Sequence, residues 1–299
     1  MSDQLITAVS KDGAFRVFAV DASNTIAEAQ RRHDTWSAAS AALGRTMVAT
    51  LLLSAAGLKG DNDLLTVRLK GDGPVGAIVV DGTSRGTVRG YIEQPHVTLP
   101  LNVVGKIDVA RAVGSRGLLA VTKDLGFGQP FTGQVPLVSG ELGEDFAYYL
   151  TQSEQIPSAV GLSVFVNADN TIQVAGGFMI QALPGATQAE IASVETTVKT
   201  LPLTSEMLRQ GLTPTEIATR AMGDVAIDVL STKPVSFECT CSKAHFGRII
   251  KTLSRHELTT MIEEDHGAEA VCKFCGRKYQ YSEAELRAFL KEKDEDNGN

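Results

Sequence analysis

The sequence predicts an α+β protein with a mostly antiparallel N-terminal sheet domain containing a long helix, a helical linker and a small C-terminal zinc-binding domain. Three observations support this prediction. Short apolar runs between glycine-rich turns dominate residues 1–182, whereas residues 183–230 carry helix start signals and prolines. All four cysteines fall between Cys239 and Cys275. Many short strands with few helices are typical of α+β folds.

Composition places the chain among ordinary globular proteins. Of its 299 residues, 43% are hydrophobic and 21% are charged, and the net charge is −7. An acidic chain is a poor general binder of nucleic acid or of anionic membranes. The most apolar stretch, residues 47–58, is interrupted by Thr50 and Ser54, so we expect no transmembrane helix. The first residues lack a basic region followed by an apolar one, so we expect a cytoplasmic protein with reduced thiols.

The N-terminal domain, residues 1–182, begins with a predicted hairpin over residues 5–9 and 14–20. Residues 24–58 are rich in Ala, Leu, Arg and Glu and predict one long helix or two, with Asn24 or Thr25 as the N-cap and an end near Gly57. Further strands are predicted at residues 64–70, 77–80, 87–92, 117–122, 132–138, 162–167 and 172–180, with a short helix at 144–153.

The linker, residues 183–230, is predicted to be a string of short helices. Thr187 and Glu190 form a capping box, and Thr213 precedes a proline at a first helical position. A helix with an apolar side must pack against a surface, and the preceding domain is the expected one. The apolar side comprises Leu183, Ile191, Val194, Leu201, Leu203, Met207 and Leu208.

The cysteine pattern is the strongest functional signal in the chain. Cys239-Thr-Cys241 and Cys272-Lys-Phe-Cys275 are separated by thirty residues. Two close cysteine pairs around a small folding unit are typical of a tetrahedral zinc site, so we predict that these four residues bind one Zn²⁺. Three histidines lie inside the intervening loop, but four thiolates already fill a tetrahedral site. We therefore expect His245, His256 and His266 not to be ligands.

Zinc in this domain, residues 231–290, has two possible roles. A unit of about 60 residues has a marginal hydrophobic core, and structural zinc contributes about 10–16 kcal/mol in small peptides. Metal removal should therefore unfold the domain. Oxidants also convert thiolates to sulfenic acid and then to disulfides, and a strained disulfide is readily reduced again. The site could thus be an inert structural centre or a reversible oxidation switch, and residue chemistry alone favours the inert centre.

The chain resembles a known family over nearly its whole length. The cysteine pattern, together with several segments on either side of it, is similar to the redox-regulated heat-shock chaperone family called the thirty-three-kilodalton chaperonin. All four cysteine positions match the family pattern. The other matching segments are residues 71–74, 89–91, 153–160, 175–178, 212–214, 257–258 and 261–265.

The resemblance implies a holdase chaperone rather than an enzyme. In the reduced state, the four thiolates would bind zinc and the linker would dock on a substrate-binding and dimerisation domain, residues 1–182. Oxidation would form the disulfides Cys239–Cys241 and Cys272–Cys275, release zinc and unfold the zinc domain and linker. Unfolded client proteins would then be bound without ATP, accompanied by homodimerisation. We hypothesise that residues 183–230 are the switched element and that residues 291–299 form a disordered tail.

Two other classes of function agree less well with the sequence. A zinc-ribbon nucleic-acid binder should carry a dense basic stripe, but residues 231–282 hold eight Lys/Arg against six Asp/Glu. A thiol–disulfide oxidoreductase would place its CxxC at a helix start within a βαβ unit. The glycine-rich residues 71–90 contain neither of the two phosphate-binding glycine motifs, so we interpret them as turns.

Overall fold

Two sheets with a helix between them form the N-terminal unit, Met1–Glu238. The computed structural model describes residues 2–297. The first sheet is antiparallel throughout, in the order β10-β1-β2-β9-β8. Its strands are β1 (Gln4–Ser10), β2 (Phe15–Asp21), β8 (Ser158–Val166), β9 (Ile172–Ala182) and β10 (Ile227–Pro234).

The second sheet has six strands in the order β11-β5-β4-β3-β6-β7. It is antiparallel except for the short strand β11, which runs parallel to β5. Its strands are β3 (Leu64–Lys70), β4 (Ala77–Thr83), β5 (Thr87–Ile92), β6 (Leu118–Asp124), β7 (Phe131–Pro136) and β11 (Ser236–Phe237). The α+β class with antiparallel sheets is therefore confirmed. Two short helices also belong to this unit, α3 (Val109–Val113) and α4 (Gly143–Gln152).

The predicted long helix is two helices, α1 (Ser23–His33) and α2 (Ser37–Gly57), separated by Asp34 in a left-handed conformation with φ of 50°. Helix α2 is buried nearly all round because it contacts strands of both sheets. Its length and composition would allow it to cross a membrane, yet 89% of its apolar window is buried inside this structure, as in the core helix of a globular protein. Gly44 allows the close packing, since an added Cβ would lie 2.8 Å from the Ile26 side chain.

The start of α1 differs from the prediction. Neither Asn24 nor Thr25 is the N-cap, and the first helical residue is Ser23. The carboxylate of Asp3 instead accepts hydrogen bonds from the backbone N–H groups of Asn24 at 3.1 Å and Thr25 at 2.6 Å. The unpaired donors at the start of the helix are thus satisfied by a residue from before β1.

The linker folds as three helices that pack on one face of the five-stranded sheet. They are α5 (Gln188–Thr200), α6 (Thr204–Arg209) and α7 (Pro214–Met222). The predicted capping box is present at Thr187, and the predicted helix start at Thr213 is a capping box as well. Val194, Met207 and Leu208 are buried against residues of β1, β2 and β9, whereas Leu203 is 41% exposed. We call α5, α6 and α7 the linker helices.

The predicted helical linker, residues 183–230, extends further along the chain than the observed helices do. Residues 227–230 are not helical, because β10 begins at Ile227 and pairs with β1 over its full length. For the same reason, residues 231–234 belong to the N-terminal unit rather than to the zinc domain. The chain divides between Glu238 and Cys239, and we call Cys239–Asn299 the C-terminal lobe.

The C-terminal lobe contains α8 (Lys243–Thr252), α9 (Arg255–Glu263), the hairpin strands β12 (Gly267–Val271) and β13 (Lys278–Ser282), and α10 (Glu283–Asn297). The expected disordered tail at 291–299 is helical as far as residue 297, and residues 298 and 299 lie outside the described residues. The Lys293 Nζ donates hydrogen bonds to the carbonyls of Lys251 and Leu253, which attaches this part of α10 to the end of α8.

Candidate metal centre

The two cysteine motifs lie on different kinds of backbone. Cys239 and Cys241 are on an irregular segment between β11 and α8, and both are partly exposed. Ser242 follows at once, and its hydroxyl accepts a hydrogen bond from the His245 N–H to cap α8. This cap fixes where the helix begins and therefore how closely the first motif approaches the rest of the lobe.

The second motif forms a tight turn between β12 and β13. The Cys272 carbonyl accepts hydrogen bonds from the N–H groups of Cys275 at 3.3 Å and Gly276 at 2.8 Å, and the Cys272 N–H donates to the Arg277 carbonyl at 2.9 Å. Gly276 has a φ of 71°, a conformation that suits glycine, which agrees with the predicted turn. Cys272 and Cys275 are both buried.

The fold brings all four predicted ligands together. Their Sγ atoms lie within 4.8 Å of one another, and no disulfide joins them. The Cys239 and Cys272 sulfurs are 3.7 Å apart, and the Cys241 and Cys275 sulfurs are 3.4 Å apart. A tetrahedral ion with Zn–S bonds of about 2.3 Å requires sulfur–sulfur separations of about 3.8 Å. The sulfur positions therefore fit a four-thiolate metal site.

The three histidines of the loop do not join this cluster within the part of the chain that the structure describes. The ring of His245 packs edge-on against Phe246, with 5.7 Å between centroids. The His266 Nδ1 lies 3.7 Å from a carboxylate oxygen of Glu283. The site that the geometry supports is thus made of cysteine alone.

The metal-free sulfurs have different acidities. Burial acts to raise the pKa of Cys241, but hydrogen bonds from the Tyr279 hydroxyl and from neighbouring cysteine thiols outweigh it and lower that pKa to about 7. Burial raises the pKa of Cys272 to about 12, and it raises the pKa of Cys275 as well. A metal ion must therefore displace protons from Cys272 and Cys275, which makes metal binding depend on pH.

Two tyrosines connect the cysteine segment to the hairpin, and the sequence analysis did not select either of them. The Tyr279 hydroxyl donates to Cys241, and the Tyr281 hydroxyl donates to the Lys243 carbonyl. The alternation of Tyr279 and Tyr281 just after the second motif was the available signal. An ion pair of 2.6 Å between Lys243 and Glu285 adds a third connection, and it lowers the pKa of Glu285 to about 2.

The glycine-rich residues 71–90 do not form a phosphate cradle. A Cβ added at Gly71 would lie 2.0 Å from the Val113 carbonyl oxygen, and one at Gly73 would lie 2.3 Å from the Ala112 carbonyl oxygen. These glycines therefore permit two backbone segments to pack closely, as expected for turns between strands.

Comparison with known proteins gives a consistent result. The model of the family described as "Hsp33 protein" matches residues 3–282. A protein named 33 kDa chaperonin from Lacticaseibacillus casei is 67% identical over 290 residues, covering 97% of this chain and 99% of that protein. The 33 kDa chaperonin of Listeria innocua is 53% identical over 294 residues, covering 98% of this chain and 99% of that protein.

A solved structure is similar over almost the whole chain. The crystal structure of the 33 kDa chaperonin, or heat shock protein 33 homolog, from Thermotoga maritima has a TM-score of 0.91 and 35% sequence identity. The match covers 99% of this chain and 100% of the Thermotoga chain.

Proposed function

This chain belongs to the Hsp33 family, and we propose on that basis that it is a redox-regulated holdase chaperone that works without ATP. Relatives named chaperonins support a chaperone rather than an enzyme. The observation that carries the redox part is the sulfur cluster, with four Sγ atoms within 4.8 Å of one another. We place the protein in the cytoplasm, where thiols stay reduced in the absence of stress.

The reduced protein would hold one zinc ion through Cys239, Cys241, Cys272 and Cys275. When bound, the ion supplies a positive charge that keeps the four sulfurs as thiolates and links the two motifs. The chain needs that link, because the hydrophobic core of the C-terminal lobe has five buried residues among those described. With the site loaded, the lobe would stay folded and the linker helices would stay packed on the five-stranded sheet.

Oxidation would convert the cluster into the disulfides Cys239–Cys241 and Cys272–Cys275. In each, one thiolate attacks hydrogen peroxide, which forms a sulfenic acid and releases hydroxide, and the neighbouring thiolate then displaces the sulfenic oxygen as a second hydroxide. Per disulfide, the two sulfurs together lose two electrons, and one peroxide with two protons from solvent becomes two waters. Each disulfide would close within one motif, so the chain would lose its metal ligands without gaining a cross-link between the motifs. The lobe would then have neither a metal ion nor a disulfide to join its two cysteine motifs.

Client binding would follow from release of the linker helices. Val194, Met207, Leu208 and Ile217 are buried against the five-stranded sheet, so undocking would expose apolar surface on the helices and on the sheet. Large exposed apolar surfaces bind other apolar chains. Unfolded client proteins are the proposed partners, and the same surfaces would support homodimerisation on activation. Nucleic acid and membranes are not expected partners of a chain with net charge −7.

The test uses the full-length reduced protein loaded with zinc. We expect hydrogen peroxide with mild heat to release zinc, to form the two disulfides in peptide maps and to increase hydrogen exchange in residues 183–230. Suppression of aggregation of a thermally unfolding client should appear in parallel and should disappear after reduction with zinc present. Equal suppression by the reduced zinc-loaded protein, or unchanged exchange in residues 183–230, would contradict the proposal. Insulin reduction at a catalytic rate would favour an oxidoreductase instead.

A further inference from the structure

The Tyr279 side chain connects the two cysteine motifs. Tyr279 lies on β13, opposite Ala270 of β12, and follows the second motif closely. Its hydroxyl oxygen is 2.9 Å from the carbonyl oxygen of Cys241 and 3.2 Å from the Cys241 Sγ. A tyrosine hydroxyl has one proton, so it donates to one of these acceptors or is shared between them. Either way, a residue of the hairpin holds a residue of the first motif.

The position of this hydroxyl is set by packing. The ring of Tyr279 lies against the ring of Phe246 on α8, with 5.4 Å between centroids and an angle of 36° between planes. The strand fixes the backbone of Tyr279 and the helix fixes its ring. The hydroxyl is therefore held in place by the fold of the lobe and not by its contact with Cys241 alone.

Compared with the ligands of the second motif, Cys241 depends more on a contact from outside its own motif to hold its position. The second motif is held by hydrogen bonds of its own turn, from Cys275 and Gly276 to the Cys272 carbonyl. Cys241 lies on irregular chain and is partly exposed. The Tyr279 hydroxyl contacts both its backbone carbonyl and its sulfur, so one side chain orients this ligand toward the other three.

We propose that Tyr279 is a positioning residue for the metal site: its hydroxyl holds Cys241 in ligating geometry and protects that sulfur from oxidation. The inference rests on the proposed function, since it concerns the same zinc site. Hydrogen-bonding partners of metal ligands typically change metal affinity about 10–100-fold when removed. Where the ion already holds Cys241 as a thiolate, a hydrogen-bond donor on that sulfur also withdraws electron density that would otherwise attack the peroxide oxygen. Loss of the hydroxyl should therefore weaken zinc binding and speed the formation of sulfenic acid at Cys241.

The chain offers a matched control for Tyr279→Phe. Tyr281→Phe removes a hydroxyl from the same strand, but that hydroxyl donates to the Lys243 carbonyl. Zinc affinity of the full-length reduced proteins is measured by competition with a chromophoric chelator. We expect Tyr279→Phe to bind zinc at least about tenfold more weakly than wild type. Tyr281→Phe should lose about fivefold or less, the ordinary cost of one hydrogen bond. Mass spectrometry after a short peroxide pulse should show faster oxidation of Cys241 in Tyr279→Phe alone.

A second measurement separates positioning from general stability. In a Cys241→Ser background, the sulfur partner of Tyr279 is absent, so adding Tyr279→Phe should cost less than about threefold in zinc affinity. An equal loss with and without the Cys241 sulfur would overturn the inference, as would a Tyr279→Phe lobe that fails to fold at saturating zinc. Equal zinc affinities of Tyr279→Phe and Tyr281→Phe would overturn the proposed role of Tyr279 but not the proposed function. A wild-type chain that binds no zinc would overturn both.

Discussion

The N-terminal unit and the C-terminal lobe differ in how much apolar surface each buries. The N-terminal unit has one cluster around α2 that reaches both sheets and a second cluster under the linker helices. Among the described residues of the lobe, the core cluster has five buried members, Ile250, Leu258, Ile262, Tyr281 and Leu286. Cys272 and Cys275 are buried to a similar degree, with 4% and 5% exposure. In the lobe, the sulfur cluster thus occupies part of the place that a hydrophobic core would take.

This difference leads us to expect that one chain contains a part whose fold is independent of a metal and a part whose fold requires it. We expect folding of the lobe to be coupled to metal binding, because apolar burial in so small a unit is marginal. The larger apolar clusters of the N-terminal unit predict that it folds without a metal. The single tryptophan of the chain, Trp36, lies in the N-terminal unit, so its fluorescence reports on that unit separately.

Metal removal should give the largest difference in stability between the two units. We expect a strong chelator, added to the reduced protein, to remove a contribution of about 10–16 kcal/mol to folding of the lobe. Hydrogen exchange should then increase throughout residues 243–297, while Trp36 fluorescence and protection of β3 and β4, which lie in the other sheet, stay unchanged. Added zinc should restore the protection. A chelated lobe that keeps its protection would contradict this comparison.

Truncating one core leucine in each unit should change a different property of the protein in each case. Leu258 in the lobe and Leu65 in β3 are both fully buried, so replacing either by Ala should cost about 2–5 kcal/mol. Leu258→Ala should weaken zinc binding, because folding and binding of the lobe are coupled, and should leave urea unfolding measured by Trp36 unchanged. Leu65→Ala should lower the Trp36 unfolding midpoint and leave zinc affinity unchanged. Each variant is the control for the other, and a shift in both properties from one variant would show that the units are not independent.

A smaller, pH-dependent effect is expected within the N-terminal unit. The Glu154 carboxylate accepts hydrogen bonds from the Lys123 Nζ at 2.7 Å and the Tyr149 hydroxyl at 2.6 Å. Burial acts to raise the pKa of Glu154, but these two partners outweigh it and lower the pKa. Because the pKa is lower in the folded state, the carboxylate stabilises the unit above its unfolded pKa of about 4.3, and this contribution is lost as pH falls through the folded value.

Glu154→Gln should therefore lower the free energy of unfolding by about 1.5–3 kcal/mol at pH 7. The deficit should begin to shrink once the pH falls below the unfolded pKa of about 4.3, and it should approach zero only below the folded pKa, where the wild-type carboxyl is protonated in both states. Urea unfolding followed by Trp36 fluorescence at several pH values measures both quantities. A deficit that stays constant from pH 7 to pH 3 would mean that the charge of Glu154 is not its cause.

The parts of this fold that follow local patterns could be predicted from the sequence. Strands β3 and β5 have the predicted bounds, and the capping box at Thr187 and the helix start at Thr213 are present as predicted. The grouping of the four cysteines followed from their spacing, because two close pairs around a small unit leave few other arrangements. Local signals were sufficient wherever the partners of a residue lie near it in the chain.

The parts that depend on distant partners could not be predicted. Strand β10 is mostly exposed, so it lacks an apolar alternation, and it exists because β1 pairs with it. The cap of α1 comes from Asp3, and the contact of Tyr279 with Cys241 spans 38 residues. The end of α10 is helical because Lys293 reaches carbonyls at the end of α8. No pattern within these segments carries that information.

The order of strands in the five-stranded sheet has a consequence for biosynthesis. The hairpin of β1 and β2 is made first but lies in the middle of the sheet, between β9 and β10. At about 5–20 residues per second, translation takes roughly 10–40 s to go from β1 to β10. Throughout that time, the edge of β1 that later pairs with β10 has no strand beside it. The nascent chain therefore exposes an open sheet edge until the ribosome has made nearly four-fifths of the protein.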